Sequence, residues 1–270
     1  MEFQRETAVH PALRNIIRHF WQVNRHNGKL IKEKIIPKGS VEIIFNLHDD
    51  SNAIPGVIGD RHFTVPRCFI SGFNTVPIHL QLPGHQFFFG VYMNPTSLPK
   101  IFRIHGKDYA NQCADLTLLD ASMHSLWHQL AEQKTFTERI TVFTSWMMKR
   151  LPEISKHEKM FDNFLTSSLD RSLSADDLSK MLCYSPRHLS RKLYALTAMN
   201  VEQTLVFKRY NRAIDLMHHS SLLLTEIAHS CDFSDQSHFT KTFKSFAGMK
   251  PTEYRAAKSH VSGHIFDVVR

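Results

Sequence analysis

The spacing of apolar residues along the chain changes character near residue 115. Before that point they come in short runs. "VEIIFNL" (Val41 to Leu47) is apolar and β-branched, "IHLQL" (Ile78 to Leu82) alternates residue by residue, and "FFFGVYM" (Phe87 to Met93) is a continuous apolar run of strand length. Pro37, Gly39, Pro55, Gly56, Pro66, Pro83 and Gly84 punctuate these runs, and several short strands separated by turns predict a small barrel or sandwich. From about Leu116 the period becomes helical. Phe136, Ile140, Phe143 and Met147 follow i, i+4, i+7, i+11, which predicts an amphipathic helix running to Leu151. Pro152 should end it, and "PEISKHE" (152–158) is the expected interdomain linker.

Beyond the linker every pattern is helical. Ser174 to Asp177 has the Ser-x-x-acid form of a helix N-cap ahead of Leu178, Met181 and Leu182, and Ser185-Pro186 is a second cap with Pro at the first helical position. The helix that follows should bury Leu189, Leu193 and Leu196, the same stripe as Phe239, Phe243 and Phe246 displaced by 50 residues. At that offset His188 meets His238, Ser190 meets Thr240, Arg191 meets Lys241 and Met199 meets Met249. At an offset of 49 Leu178 meets Ile227 and Ser185 meets Ser234, so one residue of slack falls in the turn. The repeat predicts two helix-turn-helix units, 174–200 and 223–250. Val206, Tyr210, Ala213, Ile214 and Met217 form one more stripe between them, on a joining helix of about 18 residues, roughly 27 Å long.

Composition changes this picture only locally. With 42% hydrophobic and 21% charged residues the 270-residue chain reads as an ordinary globular protein with room for two cores. It has no apolar run near the ~20 residues that span a bilayer, and its start lacks the apolar segment of a secretory signal, so a cytoplasmic location is expected. Cys68, Cys113, Cys183 and Cys231 stand far apart without a CxxC pair and read as free thiols. The net charge of +8 invites a polyanion. Between Ser185 and Ala213 stand Arg187, Arg191, Lys192, Lys208, Arg209 and Arg212 against Glu202 alone, a basic segment on predicted helices. Opposite the aromatic stripe of the last long helix lie Gln236, Ser237, Thr240 and Lys241, hydrogen-bonding groups and a cation where a solvated face would suit a Glu/Lys mixture.

These residues resemble the AraC/XylS family of transcription regulators over about Ser174 to Arg255: "SPRHLSRKLY" in the first copy, Arg209 and Ala213 in the joining helix, then "EIAHSCDFSDQSHFTKTFKSFAGMKPTEYR". Cys183, Ala198 and Asp232 stand where the family usually has glycine. The resemblance implies that the second helix of each unit enters a major groove, the two about one DNA turn (~34 Å) apart. It makes Arg187, Ser190, Arg191, Gln236, Ser237, Thr240 and Lys241, with Lys192 and Arg209 more weakly, the expected contacts to bases and phosphates; Arg suits guanine, Gln suits adenine and hydroxyls suit either. Arg209 has an equal reading as a structural pin of the helix bundle, and His188 and His238 read as packing residues at the buried edge of each helix.

"IIPKGSVEIIFNL" and "FFFGVYMNPT" resemble signatures of the sensor-like domain in one subgroup of that family, with Lys38 in place of an acid and Thr96 in place of a glycine. This implies a cupin-like barrel with trailing helices. Trp21, Glu42, Phe88 and Tyr92 could line a ligand pocket there, although core packing explains each as well. The expected fold is therefore multidomain α+β: a β-rich cupin-like sensor and dimerisation domain over 1–151 with strands to about 115, and an all-α tandem helix-turn-helix domain over 159–258 followed by a tail, 259–270. Double-stranded DNA, a small-molecule effector, RNA polymerase and a second copy of the chain are the implied partners. The stripe of 135–151 must bury against its own barrel or the same helix of a second chain, and the resemblance favours the second. A metal-dependent cupin enzyme is the rival reading, but "IHLQLPGH" offers only His79 and His85 without a tight His-x-His pair, and no phosphate loop or nucleophile elbow is present. No catalytic residue, metal or cofactor is expected. An architectural DNA binder without effector is the third reading.

Overall fold

A computed structural model describes residues 2–26, 28–48, 53–167 and 173–268. Its strands are β1 (Glu2–Glu6), β2 (Ile17–Arg25), β3 (Ile31–Ile35), β4 (Glu42–Asn46), β5 (Pro55–Ile58), β6 (Arg61–Thr64), β7 (Cys68–Ser71), β8 (Ile78–Leu82), β9 (Gln86–Met93), β10 (Cys113–Asp115) and β11 (His264–Val268). Its α-helices are α1 (Leu98–Phe102), α2 (Gly106–Tyr109), α3 (Ser122–Ala131), α4 (Phe136–Met148), α5 (Lys156–Thr166), α6 (Ala175–Leu182), α7 (Pro186–Thr197), α8 (Val201–His219), α9 (Leu224–Ser230), α10 (Gln236–Ala247) and α11 (Pro251–Ala257). The strands form two antiparallel sheets, β1-β2-β9-β4-β7-β10 and β11-β3-β8-β5-β6, which remain open at their edges. The sandwich alternative to a closed barrel is the one the chain adopts.

Strand alternation divides the first sheet into two chemically distinct faces. Phe20, Phe45 and Phe89 point to one side and are fully buried, with Phe143 of α4 packed edge-on against Phe20 and Phe45 at 6.0 Å between ring centroids. Met147, one turn further along α4, is likewise fully buried, and Phe136 meets Phe89 at 6.1 Å. The α4 stripe thus belongs to the core of its own chain. This corrects the expectation that it faces a second copy: Thr135 and Glu138 cap the helix where it meets the first sheet, and burying each phenyl ring there stabilises by about 1.5–3 kcal/mol.

The interdomain linker is also shorter than expected. Ser155 and Glu158 form a capping box, so α5 begins inside 152–158, and Lys100 of the N-terminal half bridges to Glu158 at 2.7 Å. Asp162 of α5 accepts hydrogen bonds from the Thr96 amide (2.9 Å) and hydroxyl (2.6 Å). Thr96 therefore uses its hydroxyl to clamp α5, which a glycine could not do. Desolvation raises the Asp162 carboxyl to about 6 despite those bonds. Its contribution to stability is full below the unfolded value of 3.8 and lost as pH rises through about 6. Asp162→Asn keeps an acceptor and gains a donor, so the stability of the variant relative to wild type should increase from pH 5 to pH 8, by about 1.4 kcal/mol, the one unit that separates pH 5 from the folded value of about 6. Urea unfolding at the two pH values checks this.

The two helical units superimpose their punctuation as well as their helices. Recognition helices α7 and α10 are both 12 residues long, with N-caps Ser185 and Asp235 each accepting from the amide three residues on. Equivalent caps thus lie 50 apart, so Ser185 corresponds to Asp235 and not to Ser234. Both end in a left-handed residue, Ala198 (φ 58°) and Gly248 (φ 61°), and the preceding turns use Cys183 (φ 56°) and Asp232 (φ 57°). Cβ crowding makes this region costly for non-glycine residues. Cys183→Gly and Ala198→Gly should each stabilise by roughly 0.5–1 kcal/mol, seen as a higher urea midpoint at unchanged m-value.

The halves are packed together as one body of core. Buried apolar residues run without interruption from the first sheet through α4 and α5 into α6 to α11. Gly106 of α2 lies against the C-terminal end of α7 so closely that a Cβ would stand 1.8 Å from the Leu196 carbonyl oxygen. The expected tail is in fact β11, paired along its whole length with β3 (His264 to Ile35 through Val268 to Ile31).

Candidate nucleic-acid interface and inter-sheet cavity

Residues Leu189 and Leu193 on α7, and Phe239 and Phe243 on α10, are fully buried, which turns the opposite helix faces outward. Arg187 and Arg191 are exposed, Ser190 and Lys192 half-buried; Gln236, Ser237 and Lys241 are exposed, Thr240 half-buried. Eight of the nine expected contacts, all but Arg209, therefore reach the surface on two structurally equivalent helices. Lys244, one turn beyond Lys241 on the same face, is exposed too and was not among them; its i+3 spacing was the available signal. Asp235 at the α10 N-terminus is held below the usual carboxylate range chiefly by the His238 amide, which keeps an anion at the positive end of the helix.

Other basic and histidine residues fall differently. Lys208 leaves the predicted basic segment: it is buried, donates to the carbonyls of Leu165 (3.2 Å) and Ser167, and desolvation pushes it down to about 8. It fastens the end of α5 to α8. Arg209 is half-buried. His188 and His238 are exposed, not at a buried edge, yet each ring packs edge-on to the aromatic residue before its helix, Tyr184 at 4.7 Å and Phe233 at 5.5 Å.

The second face of the first sheet looks across to the other sheet over a cavity of about 410 Å³. Trp21, Glu42, Phe88 and Tyr92 all line it. Period-2 alternation puts them there, because Phe20, Phe45 and Phe89 occupy the intervening core positions. Gly90 is paired with Trp21 across the β2–β9 ladder, and a Cβ at Gly90 would fall 2.0 Å from the indole. That space lets Trp21 lie flat and direct Nε1 to the Glu42 carboxylate at 2.7 Å. Tyr92 stacks on His19 at 4.8 Å; burial pushes the Tyr92 phenol up to about 12 and the His19 imidazole down to about 4, so both are neutral near pH 7.

Opposite them Ile58, Phe63, Ile78, Leu80 and Leu82 form an apolar wall, and Glu33, Lys38 and His264 a polar corner. His264 Nδ1 donates to Glu33 at 2.6 Å, and Lys38 donates to His264 Nε2 at 2.8 Å, with the ring in its neutral form. Desolvation, followed by the nearby Lys38 charge, lowers the His264 pKa, in keeping with that assignment. The corner was invisible in sequence because one of its members lies 231 residues from another. Lys38, standing where the resembled signature has an acid, is thereby the donor to His264.

All four cysteines are free thiols. Among the described residues no group of three or more His, Cys, Asp or Glu is placed to hold a metal, and no helix is long and apolar enough to cross a membrane.

Residues 178–257 match the model of a helix-turn-helix domain of the AraC type, and residues 5–115 match a domain of unknown function, DUF6597. The transcriptional activator RhaR of Salmonella schwarzengrund (strain CVM19633) is 32% identical over 108 residues, 39% of this chain and 38% of RhaR. RhaR of Enterobacter sp. (strain 638) is 29% identical over 107 residues, 38% of each chain. Among solved structures, ToxT from Vibrio cholerae strain SCE256 bound to an unsaturated fatty acid covers 96% of this chain and 97% of its own at 14% identity and a TM-score of 0.50, a likeness of fold alone. A double helix-turn-helix with two basic and polar helix faces defines the class, and over residues 178–257 the chain is similar to the helix-turn-helix domain of AraC-type regulators. It covers 38% of the length of the RhaR activators it matches.

Proposed function

We propose that the protein is a sequence-specific DNA-binding transcription regulator, located in the cytoplasm, whose tandem units read two adjacent major grooves. The equivalence of α7 and α10 carries this reading: same length, same caps, 50 residues apart, each presenting arginine, lysine, glutamine or hydroxyl groups opposite a buried stripe. The domain division at 151 and 159, the roles of the eight named residues, and partners beyond DNA belong to the same proposal. The curated relatives in hand are activators, which favours activation. A small-molecule effector in the inter-sheet cavity completes the reading, supported by the cavity's mixed apolar and polar lining and by a structural neighbour of the same fold that is seen with a fatty acid bound.

Genomic mapping with the full-length protein, followed by titration on the selected fragments, tests the reading. Affinity should fall linearly on a log–log plot as salt rises, because basic side chains release phosphate counterions. Absence of selected fragments, or binding indifferent to salt, overturns it.

A further inference from the structure

The chain continues past the helical domain. After α11 it turns back, and β11 joins the edge of the sensor half's second sheet, where Ile265 is buried and His264 and Phe266 become part of the cavity wall. The junction between strap and reader is equally well defined. Gly263, at φ +80°, donates its amide to the Tyr254 hydroxyl at 3.0 Å, and its carbonyl accepts from the Ile36 amide at 2.9 Å. Tyr254 is fully buried against Phe243 of α10, 5.6 Å between ring centroids, and its hydroxyl also meets His218 at 2.6 Å at the end of α8. From the other side Lys34 of β3 donates to the carbonyl of Gly248, the C-cap of α10, at 3.2 Å. A continuous path of hydrogen bonds, backbone and ring contacts therefore runs from the cavity's polar corner through His264, Gly263 and Tyr254 to Phe243 in the core of the second unit.

Charge in the cavity indicates what would act on this chain. Both carboxylates already accept a hydrogen bond, Glu33 from His264 and Glu42 from Trp21. Both cations, by contrast, have only imidazole hydrogen-bond partners among the described residues: Lys38 donates to His264, and Arg5, at the rim, to His19 at 3.4 Å. Neither takes part in a salt bridge among the described residues. An anion entering the corner offers Lys38 a better acceptor than a neutral ring nitrogen, since charge-assisted hydrogen bonds are roughly twice as strong. His264 would then lose one of the two hydrogen bonds that its ring makes. β11 is an edge strand, like β6 at the opposite edge, and being paired on one side only it can leave without breaking a second ladder.

We propose that residues 259–268 are a ligand-sensing strap: an amphipathic organic anion in the inter-sheet cavity takes Lys38 from His264, loosens β11, and so unfastens the second helix-turn-helix unit from the sensor sheet. This rests on the effector reading above and adds the anionic head and the route of coupling. It is distinct from dimerisation or from movement of an N-terminal segment, because the moving element is the chain's own C-terminal strand.

The probes are 1-anilinonaphthalene-8-sulfonate and its neutral analogue N-phenyl-1-naphthylamine, which share an apolar body and differ in the anionic group. The full-length protein should bind the sulfonate at least tenfold more tightly, and Lys38→Met should remove most of that preference. Hydrogen exchange at saturating sulfonate should quicken at least fivefold in 264–268 and 251–257, while α6 and α7 of the first unit stay unchanged. A disulfide between Lys32→Cys and Asp267→Cys, exposed partners in the β3–β11 ladder, should suppress that exchange response when oxidised and restore it on reduction, which uses one folded protein as its own control. Equal affinity for both probes, or no binding of either, overturns the anionic site. Tight sulfonate binding with unchanged exchange in 264–268 overturns the strap. In each case the DNA-binding reading stands or falls separately, on the genomic mapping.

Discussion

Phe243→Ala is expected to destabilise the protein by about 3–5 kcal/mol, the usual cost of deleting a buried phenyl ring and leaving a cavity. Phe243 is fully buried, and its ring lies 5.2 Å from Tyr210, 5.6 Å from Tyr254 and 5.9 Å from Phe239. Those three rings come from the joining helix, the helix after the second unit and the recognition helix itself, so one side chain holds three elements in register. Such a loss is a large share of the ~5–15 kcal/mol by which domains are stable. Phe243→Leu, which retains most of the volume, should cost under about 1.5 kcal/mol. Urea unfolding of both variants checks the contrast, and an alanine variant within 1 kcal/mol of wild type would mean that the three rings can close the gap.

Arg191→Ala and Gln236→Ala are each expected to weaken DNA binding by about 1–3 kcal/mol and to relax the sequence preference in different parts of the site, about one helical turn apart. Both residues are exposed, and they occupy equivalent helices of separate units, so their effects should add. Lys208→Met supplies the contrast. Its lysine is buried on carbonyls of the α5 end, so the variant should alter stability and leave the preferred sequence unchanged. Footprinting and selection on randomised sites would show it; Arg191→Ala and Gln236→Ala relaxing the same base pairs would contradict two tandem readers.

The equivalence behind this prediction was legible in the chain because helical structure is local. A cap, a stripe at i, i+4, i+7 and a turn are all written within about 25 residues, and a second copy 50 residues on reproduces them, down to the left-handed caps Ala198 and Gly248. Strand runs such as Ile78 to Leu82 were legible for the same reason, and alternation alone places Phe88 and Tyr92 on one face and Phe89 on the other. Which face meets a cavity and which a helix is not a local property. The apolar face of α4 was equally visible, but a stripe specifies that something must cover it and not which surface does; Phe20, Phe45 and Phe89 of the chain's own sheet turn out to be that surface.

Lys208 and the C-terminal strand show the limit most clearly. In the sequence Lys208 adds one more charge to a basic segment; in the fold, desolvation and two carbonyl acceptors make it a fastener. "HIFDV" is a short strand at most until its partner, more than 200 residues upstream, is known, because a β-ladder is completed by hydrogen bonds that only chain reversal brings together. By itself, then, the sequence determined the two repeated helices, their spacing and their outward chemistry, all consequences of backbone propensity and short-range periodicity, while the fold decided that Asp235 and not Ser234 is the counterpart of the Ser185 cap. The tertiary structure alone decided that the two sheets leave a cavity between them, that Glu33, Lys38 and His264 meet at its corner, and that the chain's last strand returns from the DNA-reading half to close it, since those depend on packing between residues that have no local reason to meet.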